Sequence, residues 1–76
     1  METAPKSIND LSPREWQVMK LAAEGKTYKG IGTELGISDR TARFHMEGAK
    51  AKFGVPTRMQ AIARFSKDSR AGAPKE

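Results

Sequence analysis

Three consecutive stretches of this chain each open on a hydroxyl side chain and close on a glycine: Ser12 to Gly25, Thr27 to Gly36 and Ser38 to Gly54. A hydroxyl that accepts from a free backbone N–H starts a helix, and a glycine that can leave the right-handed region stops one. Punctuation this dense admits only short helices joined by abrupt corners. No stretch alternates apolar and polar residues between hairpin turn signals, so strands are not expected. At 76 residues the chain has room for one small core.

The first element starts at Ser12-Pro13-Arg14-Glu15, where Ser caps, Pro suits the first helical position and Glu bonds back to the cap. Leu11 and Trp16 occupy the two positions of a hydrophobic staple, and Val18, Met19, Ala22 and Ala23 continue an inward stripe up to Gly25. Trp16 reads as packing, not as a binding aromatic. Thr27 opens a second, short helix in which Tyr28, Ile31 and Leu35 recur on one face before Gly36. Gly30 and Gly32 inside it each cost about 1 kcal/mol relative to alanine, which predicts close approach by another helix. Ser38 caps a third helix running to about Phe53, Gly54-Val55-Pro56 is a turn, and Thr57-Arg58-Met59-Gln60 repeats the capping-box pattern for a fourth helix ending near Arg64. The expectation is an all-α, four-helix domain over residues 11–66, with polar tails over 1–10 and 67–76.

Composition removes most chemistry. There is no cysteine and one histidine, His45, which has no second histidine, cysteine or paired carboxylate at ligand spacing, so no metal site is expected. Gly25-Lys26-Thr27 echoes the end of a phosphate-binding loop, but Lys20 stands where its first glycine belongs. Gly30, Gly32 and Gly36 miss the dinucleotide spacing by one residue. No cofactor, no small-molecule ligand and no enzymatic activity are expected. No apolar run approaches the roughly 18 residues of a membrane span, and METAPKSIND lacks the layout of a signal peptide, which predicts a cytoplasmic protein.

The charge is +5, and between Lys26 and Arg58 seven basic residues stand against Glu34, Asp39 and Glu47, so four of the five net charges fall there. A polyanion is the partner such a segment suits. The spacing from Tyr28 to His45 is that of a helix-turn-helix, with Ile31, Leu35, Ile37 and Ala42 as its wedge. Gly36 turns the corner, and a side chain at position 32 would strike the following helix. At 100° per residue, Ala42, Ala49, Phe53, Met46 and His45 share the inner side of the third helix, while Arg40, Arg43, Phe44, Glu47 and Ala51 lie opposite, with Gly48 and Lys50 toward the margins. Arg donates two hydrogen bonds to guanine, Glu accepts from cytosine, and an apolar group meets the thymine methyl. Arg40, Arg43, Phe44 and Glu47 are therefore read as base-contacting positions. Lys26, Thr27 and Lys29 at a helix start, with Lys50 and Lys52 on opposite flanks of the third helix, are read as holders of the phosphate backbone.

The pieces Leu11-Ser12-Pro13-Arg14-Glu15, Ala23-Glu24-Gly25-Lys26-Thr27, Leu35-Gly36-Ile37-Ser38, Arg40-Thr41, Phe44-His45 and Lys52-Phe53-Gly54-Val55 together resemble the C-terminal DNA-binding domain of the LuxR-type transcription regulators, over about residues 11–64. Phe44-His45 resembles the branch containing quorum-sensing receptors for acyl-homoserine lactones. The resemblance implies four helices, with the third in the major groove and the fourth pairing two domains on a two-fold site. It also implies Arg43, Phe44 and Glu47 as groove-facing positions and Thr27 and Lys52 as backbone contacts. The chain departs from the family pattern at Gly30, where Glu is common and closes a capping box. Glu47 stands where basic or small residues are frequent, and Ala42 and Ala49 replace larger aliphatics. Such domains commonly follow a receiver or ligand-binding domain, so this one is either an excised effector domain or a free-standing one.

The leading expectation is a sequence-specific DNA-binding transcription regulator at the bacterial nucleoid, its third helix (39–53) reading double-stranded DNA. It would act as a homodimer, or a heterodimer with a related regulator, through Met59, Ile62 and Ala63 of the fourth helix. A different class stays open: a protein-interaction module that pairs with and inhibits full-length relatives. A third reading is an RNA binder that stacks Phe44 on an unpaired base.

Overall fold

The computed structural model of the chain describes residues 10–71, with side chains described over residues 10–67. Ser12 Oγ accepts from the Glu15 N–H at 3.1 Å while the Glu15 carboxylate accepts from the Ser12 N–H at 2.9 Å. With both halves of the box closed, α1 runs Pro13–Ala23. It ends as the N–H groups of Gly25 and Lys26 reach back to the carbonyls of Ala22 and Leu21. Thr27 Oγ1 accepts from the Gly30 N–H at 3.1 Å and starts α2, Tyr28–Leu35. Ser38 Oγ accepts from the Thr41 N–H at 2.9 Å and starts α3, Asp39–Phe53. Thr57 Oγ1 accepts from the Gln60 N–H at 3.1 Å at the start of α4, Arg58–Ala71. Each of these caps contributes about 1 kcal/mol to a small domain's stability.

The described residues are helical throughout apart from these corners, which makes the fold all-α. α3 is the central element and packs against α1, α2 and α4. Its Ala42, Met46, Ala49 and Phe53 are fully buried, together with Val18 and Met19 of α1, Ile31 of α2 and Ala61 of α4. Phe65 closes the core, and Trp16 meets it edge to face, with ring centroids 5.7 Å apart. Trp16 is thus packing, as its place in the staple predicted.

The corner between α2 and α3 rests on two glycines with different jobs. Gly36 adopts φ 73°, and the Ile37 N–H then reaches the Gly32 carbonyl at 2.9 Å. A Cβ on Gly32 would lie 2.5 Å from the Ile37 carbonyl oxygen and 3.1 Å from the Asp39 nitrogen. Residue 32 therefore lets the backbone of the turn press directly on α2, which sets the angle at which α3 leaves.

Three expectations are corrected. Gly30 is not approached by another helix: a Cβ there would meet its own cap, Thr27 Oγ1, at 3.4 Å. Ala23 is exposed and Leu21 is buried in its place, because Ala23 lies 100° past Ala22 and outside the arc shared by Leu21, Val18, Ala22 and Met19. α4 continues beyond Arg64 to Ala71, since no glycine or proline interrupts it before Gly72, so the expected C-terminal tail begins as helix. The remainder of the expected tails, 1–9 and 72–76, lies outside the described residues.

Candidate nucleic-acid interface

With four positions of α3 fully buried, its outer side is set by the helical period alone. Arg40, Arg43, Phe44, Glu47 and Ala51 are all exposed, with Phe44 71% exposed. His45 is half-buried at the margin, its ring edge to face with Phe44 at 5.5 Å. Apart from His45, which the period placed on the inner side and which lies at the margin because its ring packs on exposed Phe44, the two sides follow the assignment made from the period, and the four residues read as base-contacting share one exposed strip.

The α2 corner adjoins that strip. The Arg43 guanidinium lies over the Tyr28 ring, 4.7 Å from its centroid, and the Arg58 guanidinium lies 4.6 Å from the same centroid. Arg58 is fixed in turn, because its Nη2 donates to the Lys26 carbonyl at 2.7 Å. Lys26, Thr27 and Tyr28 are thereby joined to the outer face of α3 and to the first turn of α4. Thr27 caps α2, whose first N–H groups have no acceptor within the helix, and Lys29 is exposed beside it. Lys26 faces Glu34 across 3.9 Å, a pair of half-exposed groups that water screens.

The two lysines at the C-terminal half of α3 differ. Lys50, at the margin of the exposed strip, donates to Glu47 at 2.9 Å, so a basic group stands beside the acidic residue of that strip. Lys52 turns to the start of α1, donating to Glu15 Oε1 at 2.8 Å and to the Asp10 carbonyl at 3.2 Å. Glu15 thus closes the α1 cap and ties α3 to it. Burial pushes its carboxyl upward, but the Lys52 ammonium and the Ser12 N–H and hydroxyl together outweigh this and hold it below its ordinary value. A side chain on Gly48 would meet that carboxylate, so Gly48 leaves the space that the Glu15 carboxylate occupies.

Sequence reasoning passed over Tyr28 as part of an apolar face, Arg58 as one charge among several and Glu15 as a cap alone. Only the Glu15 cap had a local signal; the pairings with residues 30 or more positions away had none. On α4, Met59 is 71% exposed and Ala63 is exposed, while Ile62 is half-buried against the core. These three therefore line an apolar strip beside the buried Ala61 and Phe65. No helix among the described residues is long and apolar enough to cross a membrane.

Comparison with known proteins agrees with this geometry. The family model described as bacterial regulatory proteins, luxR family, matches residues 9–65. The spore germination protein GerE of Bacillus subtilis is 44% identical over 55 residues, covering 72% of this chain and 74% of GerE. The transcriptional activator protein LuxR of Aliivibrio fischeri is 41% identical over 59 residues, covering 78% of this chain and 24% of LuxR. The HTH-type quorum sensing-dependent transcriptional regulator RpaR of Rhodopseudomonas palustris is 40% identical over 62 residues, covering 79% of this chain and 26% of RpaR. The chain thus spans about a quarter of the length of LuxR and of RpaR. A solved structure of the transcription factor GerE superimposes with a TM-score of 0.71 at 32% identity, covering 82% of this chain and 90% of that one. Sequence match, fold and the layout of the α2–α3 corner converge: the chain belongs to the luxR family of bacterial regulatory proteins and is a helix-turn-helix transcription-regulator domain of that family.

Proposed function

We propose that this domain recognises a specific duplex DNA sequence by laying α3 in the major groove. The observation that carries the reading is the two-sided character of α3. Ala42, Met46, Ala49 and Phe53 are fully buried, while Arg40, Arg43, Phe44 and Glu47 stand on one exposed strip. An α-helix fits the groove, and the N-terminal half of a recognition helix is the part that enters it. Arg40 and Arg43 supply donors for guanine, Phe44 an apolar surface for the thymine methyl, and Glu47 an acceptor for cytosine N4. Lys26, Thr27, Lys29 and Lys50 hold the backbone around the strip. Lys52 joins them with the one ammonium hydrogen that Glu15 and Asp10 leave over.

Arg43→Ala tests the reading on a duplex selected from random sequences. A good two-bond contact to guanine is worth about 1–3 kcal/mol, so specific affinity should fall roughly 5- to 150-fold while random duplexes are bound as before. Unchanged specific affinity would remove Arg43 as a base contact, and the same result with Arg40→Ala and Glu47→Ala would remove α3 as the reading helix.

Met59, Ile62 and Ala63 then form the face that pairs two copies, or this chain with a related regulator, on a two-fold site. The relatives include the transcriptional activator LuxR, the transcriptional regulator RpaR and the transcription factor GerE, which supports a DNA-reading role over a free-standing interaction module. The same kinship supports a cytoplasmic location and the absence of enzymatic chemistry.

A further inference from the structure

Arg43 has an unusual neighbour for a residue meant to read bases. Among the described residues no carboxylate lies within ion-pair distance of its guanidinium, and its one close partner is the face of Tyr28, 4.7 Å from the ring centroid. An ion pair would fix the group by spending its N–H donors. A place over a ring restricts the group and leaves all five donors for a ligand. The ring itself is held. Tyr28 is half-buried at the first position of α2, and Arg58 lies over it at 4.6 Å with Nη2 bonded to the Lys26 carbonyl at 2.7 Å. A support thus runs from the α1–α2 corner, through Arg58 and Tyr28, to the groove-facing side of α3.

We infer that Tyr28 is the positioning residue for Arg43, and so a determinant of base preference that need not touch a base. Arg carries extensive rotamer freedom, and immobilising it at an interface weakens binding unless the free protein already restricts it. The Tyr28 face restricts it before DNA arrives. The inference rests on the reading of Arg43 as a base contact and goes beyond it, since a solvated arginine elsewhere on α3 would read the same guanine less selectively.

The test uses the full chain and a duplex selected from random sequences. The guanine whose identity is lost on Arg43→Ala is replaced by 7-deazaguanine, which lacks the N7 acceptor. Tyr28→Leu should weaken binding to the selected duplex about two- to fivefold, as expected for a partly exposed cation–ring contact, and narrow the gap between guanine and 7-deazaguanine. Binding to random duplexes and its salt slope should not change. In an Arg43→Ala background Tyr28→Leu should add nothing, and Tyr28→Phe, which keeps the ring, should behave as the unaltered chain. Fully additive effects of the two substitutions, or equal weakening on all duplexes, would overturn the positioning role while leaving Arg43 as a base reader. An Arg43→Ala chain with unchanged specific affinity would instead remove the base reading, and this role with it. Should Tyr28→Leu not fold, the Arg43 Nε–H resonance of the unaltered free chain decides. The ring current of Tyr28 should displace it from the solvated arginine position, and an undisplaced resonance would show that the stack does not exist in solution.

Discussion

Replacing Glu15 with Gln removes a charge at the point where α1 and α3 are tied, and little else. Gln still accepts from the Ser12 N–H, so the α1 cap survives. What goes is the carboxylate–ammonium bond to Lys52 at 2.8 Å. A hydrogen bond to a charged group contributes about 1.5–3 kcal/mol when shielded from water. Here the Glu15 side chain is 12% exposed and that of Lys52 33%, so solvent screens the pair and the expected loss is about 1 kcal/mol. In a domain of this length that corresponds to a fall in Tm of about 4–8 °C. The pH dependence has a definite sign. Glu15 has a lowered pKa in the folded state, so its contribution is complete above the ordinary carboxylate pKa of about 4.3 and is lost as pH falls through the folded value. Melting curves followed by circular dichroism should therefore separate the two chains at pH 7 and bring them together as the pH falls below the lowered folded-state pKa of Glu15. An E15Q chain that melts with the unaltered protein at pH 7, or a deficit that persists undiminished in acid, would refute the tie between the helices as an electrostatic one.

Two further outcomes follow from single positions. Gly32→Ala gains about 1 kcal/mol of helix propensity but drives a Cβ to 2.5 Å from the backbone oxygen of Ile37, a clash that costs about 3 kcal/mol, so a net loss of about 2 kcal/mol is expected. A Tm at or above that of the unaltered chain would show that the corner yields. Met59→Glu should leave Tm nearly unchanged, within about 0.5 kcal/mol in stability, because the side chain is 71% exposed. It should abolish pairing of two chains on a two-fold duplex in sedimentation experiments, and pairing that survives it would place the dimer face elsewhere.

The boundaries of the first three helices and the two sides of α3 were legible in the sequence, because the forces that set them act over three or four residues. Ser12, Thr27 and Ser38 each bond to an N–H three positions on, Gly25, Gly36 and Gly54 end each run, and the 3.6-residue period alone separates Ala42 and Ala49 from Arg40 and Arg43. The need for glycine at 32 was legible for the same reason, since the corner it serves lies only a few residues downstream. The apolar stripe of α1 was read one residue off, because an alanine pattern does not say which edge of an arc the rest of the core will cover. Neither the hold of Glu15 on Lys52 nor the gathering of Arg43 and Arg58 on Tyr28 leaves a local trace. Each joins residues on different helices, and which side chains meet depends on the angles at the α1–α2 and α2–α3 corners. Helix periodicity thus chose the face that α3 offers, and the packing of four helices chose how the charges on that face are held.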